Sequence, residues 1–249
     1  MSEVAPIREV ALPQWVPAAL SFVAGYVDIF TFLALFGLFV AQVTGSFVTA
    51  GAELVTHDFG IFGKAVAVAG FLLAAALTAA LIALARARSR ASLPWMLAFE
   101  TVLLALFTMM LFWATPASRP DDWRAILAGL FGAMAMGTQS VIVRLLMRGV
   151  PQTNVMTGNM TSLGIETAAL AFAWRRRALN PHDAADAAEF AATRARLAAV
   201  LAIALGFLCG AAAGAISYAR AGLSAAPLAV VIIGALTLWS IARETRGRL

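Results

Sequence analysis

Apolar residues run through this chain in long blocks, and polar residues collect between the blocks. Six long apolar segments stand out, at about 14–37, 64–85, 94–114, 124–147, 197–219 and 224–242. A helix that crosses a bilayer needs roughly 20 mostly apolar residues, and these blocks have that length. They do not alternate as the strands of a membrane barrel would. The pattern predicts an all-α polytopic membrane protein, 1–249 forming a single membrane domain. Two shorter segments, about 42–55 and 154–173, carry Thr, Ser, Asn and Gly among their apolar residues. Glycine within such a segment permits breakage, and freed backbone groups must then face protein or a cavity. The expectation is six long spans plus two short polar helices, broken or re-entrant.

The short segments resemble each other. Thr44-Gly45-Ser46 precedes Gly51 and Glu53, and Thr157-Gly158-Asn159 precedes Gly164 and Glu166, with 113 residues separating each pair. Ser46, Thr49 and Glu53 match Asn159, Ser162 and Glu166, and their spacing of three then four puts each set on one helical face. Upstream, Gly25 and Asp28 match Gly137 and the neighbourhood of Gln139 with a one-residue shift. Each half reads long, short polar, long, long. This predicts a two-fold internal repeat, with copies at about 14–115 and 123–242. The second copy carries a hydrophilic connector at 174–196, a surface segment with room for an amphipathic helix.

Composition sharpens this reading. The chain is 62% hydrophobic and 12% charged, against about 25% charged in soluble domains. Soluble enzymes and disordered chains are excluded as first readings. The net charge of +5 comes from arginines at segment ends, a topology signal and not a nucleic-acid motif. With six spans, Lys and Arg divide 14 to 4 between the two sides; with eight spans they divide 12 to 6. The positive-inside rule prefers six spans, with both termini cytoplasmic. The two halves then have opposite orientation, an inverted repeat of the kind found in transporters. The first apolar run is too long for a cleavable signal and reads as a retained span.

A carboxylate at the bilayer centre is costly, about 2.5–3.5 kcal/mol on insertion scales. Asp28 lies in mid-segment and is therefore a candidate for binding a cation or proton. Glu53 and Glu166 close their polar stripes and serve as site acids or interfacial acids. Arg144 is a candidate partner for Asp28 or Glu166, or else a snorkelling end residue. Glu100 reads as structural. Thr44, Gly45, Ser46, Gln139, Thr157, Gly158 and Asn159 would line a polar path, or else pack helices closely. The lone Cys209 and the dispersed His57 and His182 give no metal cluster, and nothing calls for a cofactor. No nucleophile–base signature is present, so an enzyme is not expected.

These residues also carry a family likeness. Gly25-Tyr26-Val27-Asp28, Phe39-Val40-Ala41 and Thr44-Gly45-Ser46 in the first half go with Gly137-Thr138-Gln139, Val143-Arg144 and Val155-Met156-Thr157-Gly158-Asn159 in the second. With them the chain resembles the YoaK-like family, small bacterial polytopic membrane proteins with a domain of unknown function. Ser46 departs from the asparagine usual there. The resemblance implies a bacterial inner-membrane protein and no particular activity. The residues themselves predict a small-solute secondary transporter or channel with a midplane polar site; a non-transporting scaffold or partner subunit is the alternative. The expected partners are the lipid bilayer and a small solute or proton, with no nucleic acid. A chain of this size can work alone or as a homodimer.

Overall fold

A computed structural model describes residues 12–56, 60–88, 92–114, 119–120, 122–147 and 149–246. Among the described residues there are eight α-helices and no strands: α1 (Trp15–Ala34), α2 (Val43–Thr56), α3 (Ile61–Ala87), α4 (Leu93–Ala114), α5 (Trp123–Leu146), α6 (Met156–Leu179), α7 (Ala184–Ala221) and α8 (Pro227–Arg246). A 3-10 turn, Gly222–Ala225, joins the last two. Six of the helices, α1, α3, α4, α5, α7 and α8, are long and apolar enough to cross a membrane. These are the six segments that the hydropathy pattern predicts.

The ends of the helices follow from local chemistry. Asp122 caps α5 by accepting from the Arg124 backbone N–H at 2.9 Å, and Asp183 caps α7 through Ala185 at 2.8 Å. Gly222, at φ 58°, closes α7 in a conformation that costs glycine little. Arg86 at the end of α3 donates to the Leu145 carbonyl at the end of α5, where the helix dipole is negative.

One expectation is filled in and another needs correction. The polar connector at 174–196 is mostly helix: α6 runs on to Leu179, α7 begins at Ala184, and only Asn180–Asp183 lie between. At 1.5 Å per residue, the 38 residues of α7 reach about 57 Å, well beyond a hydrocarbon core of about 30 Å. The hydrophilic segment is therefore the C-terminal end of α6 and the N-terminal overhang of the apolar α7. Second, neither Gly45 nor Gly158 breaks a helix. Each sits in the first turn of a continuous one, and the irregular backbone precedes it.

Helices α1 and α5 are the most buried of the six, and the rest pack around them. Helix α1 lies against α7, and α5 lies against α3 and α4. These contacts are close because small residues line them. A Cβ on Gly206 would stand 2.6 Å from the Ala18 carbonyl oxygen, and Gly210 and Gly214 meet the backbone of Phe22 and Tyr26 one and two turns on. At the other crossing a Cβ on Gly137 would stand 2.5 Å from the Phe71 carbonyl oxygen. Lipid supplies no hydrophobic drive between helices, so close backbone approach and dispersion must hold them. The outward faces carry Leu72, Leu73 and Leu77 on α3 and Leu201, Leu205 and Leu208 on α7, all exposed. Trp15 packs on Trp239 at 5.1 Å, and Trp113 on Trp123 at 4.8 Å, where Arg124 covers both rings. Indoles of this kind favour the two membrane–water interfaces.

Gly137→Ala and Gly210→Ala should each lose about 1–3 kcal/mol of stability through overpacking against backbone. Gly164→Ala, where a Cβ meets nothing within 4 Å, should be tolerated. Thermal unfolding in detergent checks this; equal melting temperatures for all three variants would contradict the packing described.

Candidate functional site

The site begins where α1 ends. Phe36 and Gly37 take positive φ, 54° and 72°, and reverse the chain. Residues 38–42 then run back along α1 as irregular backbone, with Leu38, Val40 and Ala41 buried. Such backbone lacks helical partners and, in lipid, lacks water as well. Asp28 supplies what is missing. Its Oδ1 accepts from the N–H of Val40 at 2.7 Å and of Ala41 at 2.8 Å, and its Oδ2 from Gln42 at 3.3 Å. Ser46, in the first turn of α2, clasps the same loop: its Oγ donates to the Phe39 carbonyl at 2.8 Å and accepts from the Phe39 N–H at 3.0 Å.

A second irregular segment, 149–155, precedes α6. Asn159, in the first turn of α6, donates to the Gln152 carbonyl at 2.6 Å, seven residues back, as Ser46 does to Phe39. Gln139 on α5 donates to Thr153 Oγ1 at 2.9 Å and to the Leu20 carbonyl of α1 at 3.0 Å. The Ser21 hydroxyl lies 2.9 Å from the Thr153 carbonyl and 2.8 Å from that of Ile203. The two loops then meet: Asn154 Nδ2 donates to the Ala41 carbonyl at 3.3 Å and also to Ser140 Oγ. Among the described residues the buried Oδ1 of Asn154 and Oε1 of Gln139 have no partner. The centre of the molecule is thus a polar junction of two non-helical segments between α1 and α5.

Each polar stripe ends in an ion pair, and the two pairs differ in access. Glu53 pairs with Lys64 at the start of α3, and Lys64 Nζ also reaches the Phe36 carbonyl at 3.3 Å. These side chains are only 13% and 4% exposed, and the neighbouring cavity is water-sized, about 20 Å³. Glu166 pairs with Arg196, whose Nε lies 3.2 and 3.1 Å from its two oxygens, while Nη2 donates to Thr193 at 3.0 Å. Here the Arg196 side chain is 54% exposed and that of Glu166 19%. This second pair stands in an open groove of about 480 Å³ between the 149–155 loop, α6 and α7. Gln152, Gly158, Asn159 and Ser162 line its other side.

The predicted residues therefore separate. Asp28, Ser46, Gln139 and Asn159 hold the junction. Gly158, Asn159 and Glu166 line the groove, and Glu53 belongs to the closed pair. Thr44 and Thr157 are exposed, and Gly45 packs on the Phe39 ring. Arg144 partners neither Asp28 nor Glu166: it is exposed in the last turn of α5, while backbone N–H groups hold Asp28 and Arg196 holds Glu166. Glu100 is fully buried in α4, and neither of its oxygens has a partner among the described residues. Sequence reasoning missed Lys64, Arg196, Thr153 and Asn154. The first two could have been found as cations that open or immediately precede an apolar segment.

The architecture is that of a multi-pass, all-helical membrane protein. The chain belongs to the family DUF1275, described as a protein of unknown function, which matches residues 16–239. No curated protein and no solved structure matches it.

Asp28→Asn should destabilise the protein markedly. The amide keeps the shape but turns an NH₂ donor toward backbone donors, and hydrogen bonds to a charged group contribute about 1.5–3 kcal/mol each. A melting temperature equal to that of the parent would contradict the capping role.

Proposed function

We propose that this protein is a small-solute secondary transporter or channel, and not an enzyme, with a path that passes the loop junction. The observation that carries the proposal is the contact of Asn154 with Ala41, where two irregular segments meet inside a helical bundle. Non-helical backbone at membrane depth is tolerated where protein buries it or where it lines a cavity, and transporters use such segments at the midplane. The open groove beside Glu166 and the shut pair at Glu53 suit a carrier with access on one side.

An inverted repeat belongs to this reading. Ala41 and Asn154 touch across 113 residues, and Thr101 and Thr237 share a 3.2 Å hydrogen bond across 136. The difference is 23, the length of the segment 174–196. The close crossings exchange in the same way: Gly25 meets the Phe207 carbonyl, and Gly137 meets that of Phe71. With three spans per half, the two loops enter from opposite faces. The YoaK-like resemblance and the arginine bias fit a bacterial inner-membrane protein with cytoplasmic termini.

One observation favours a non-transporting scaffold. Asp28, Ser46 and the Thr78–Thr138 pair all spend their polar groups on the protein itself, as helix-packing glue would. Flux into proteoliposomes separates the two readings. Under gradients of amino acids, sugars, organic acids and inorganic ions, the transport reading expects at least one solute to enter well above the leak of protein-free vesicles. Leak-level rates for every solute would leave the scaffold.

A further inference from the structure

The geometry points to the groove between α6 and α7 as a binding site for a small zwitterion that carries a carboxylate and an ammonium group, an amino acid in the simplest case. The inference rests on the transport reading for its place in a path, but not for binding itself.

Three features of the groove select this class. Its size, about 480 Å³, suits a ligand of amino-acid dimensions with water beside it. Among the described residues its lining carries one cation and one anion, Arg196 and Glu166. Neutral polar residues, Gln152, Asn159 and Ser162, also line it, the first two bonded to each other. Glu166 and Asn159 are seven residues apart on α6, so the groove descends about 10 Å from the ion pair toward the loop junction.

Charge balance decides between ligand classes. Val150, Val155, Ala199 and Val200 make the rest of the wall apolar, and an uncompensated charge in such surroundings is costly. A lone anion on Arg196 would leave Glu166 uncompensated, and a lone cation on Glu166 would do the same to Arg196. A zwitterion replaces one ion pair by two and adds no net charge. The existing pair can yield to it: Arg196 holds Glu166 through Nε alone, and its side chain stays open to an incoming ligand. The counterpart pair cannot yield in this way, because Lys64 is buried and also tied to the Phe36 carbonyl. The ligand carboxylate would take the guanidinium edge, and its ammonium group would take Glu166.

The test is thermal stabilisation of the purified full-length protein by the protein amino acids at millimolar concentration, with the decarboxylated amine and the deaminated acid of each as controls. One or more amino acids should raise the melting temperature by several degrees, and the singly charged controls should not. Arg196→Gln and Glu166→Gln should each abolish the shift. The exchanged double variant, Glu166→Arg with Arg196→Glu, should recover it at least in part. The site is refuted if no amino acid shifts the transition, if the controls shift it equally, or if both single variants keep the full shift. Stabilisation without flux would uphold the site and reject transport. Flux that ignores both variants would uphold transport and take the groove out of its path.

Discussion

A peptide group inside a bilayer has no water to bond, so irregular backbone there must find its partners within the protein. The Asp28 carboxylate meets that requirement for the loop after α1. Three consecutive N–H groups converge on it, and the loop could not otherwise lie buried against α1. The intramembrane charge and the irregular loop thus account for each other. The cost of burying the carboxylate is offset by backbone donors, and the cost of the unravelled backbone is offset by the carboxylate. Everything central follows from this arrangement, because the loop carries Ala41 to its meeting with Asn154 and places Ser46 at the head of α2.

Around that junction, packing is set by the absence of side chains. Glycines on α7 and α5 let backbones approach to contact, which holds α1 and α5 at the centre while leucines face outward. The proposed repeat would make the two halves similar in plan, but they are unequal in detail. Where the first half has Asp28, the offset between Gly25 and Gly137 leads to Ser140, a neutral hydroxyl that meets the Asn154 side chain. One half is tied shut by a carboxylate and a buried lysine, and the other opens into a groove.

Much of this was legible in the chain. The six spans emerged because long apolar runs have one reading in a membrane, and the Thr-Gly elements marked the two special segments because their polar residues share a helical face. Asp28 stood out through its cost, but its partners are backbone groups, which no side-chain pattern reveals. For the same reason Arg144 looked like its natural mate and is not. Asn154 and Thr153 were hidden in a stretch with no periodicity, and Arg196 passed as one more topology arginine. A helix within 174–196 was foreseen, but its continuity with α6 and α7 was not, because hydropathy reports burial in lipid and not helix content.

The central claim is that the two irregular loops meet inside the bundle. Cross-linking tests it most directly. Ala41→Cys and Asn154→Cys would be combined with replacement of Cys209, and a protease site placed between α4 and α5. Mild oxidation should form a disulfide that keeps the two fragments joined until reduction, in a yield above that of Thr44→Cys paired with Asn154→Cys. Fragments that separate without reductant, or that join equally with the cysteine at position 44, would contradict the account.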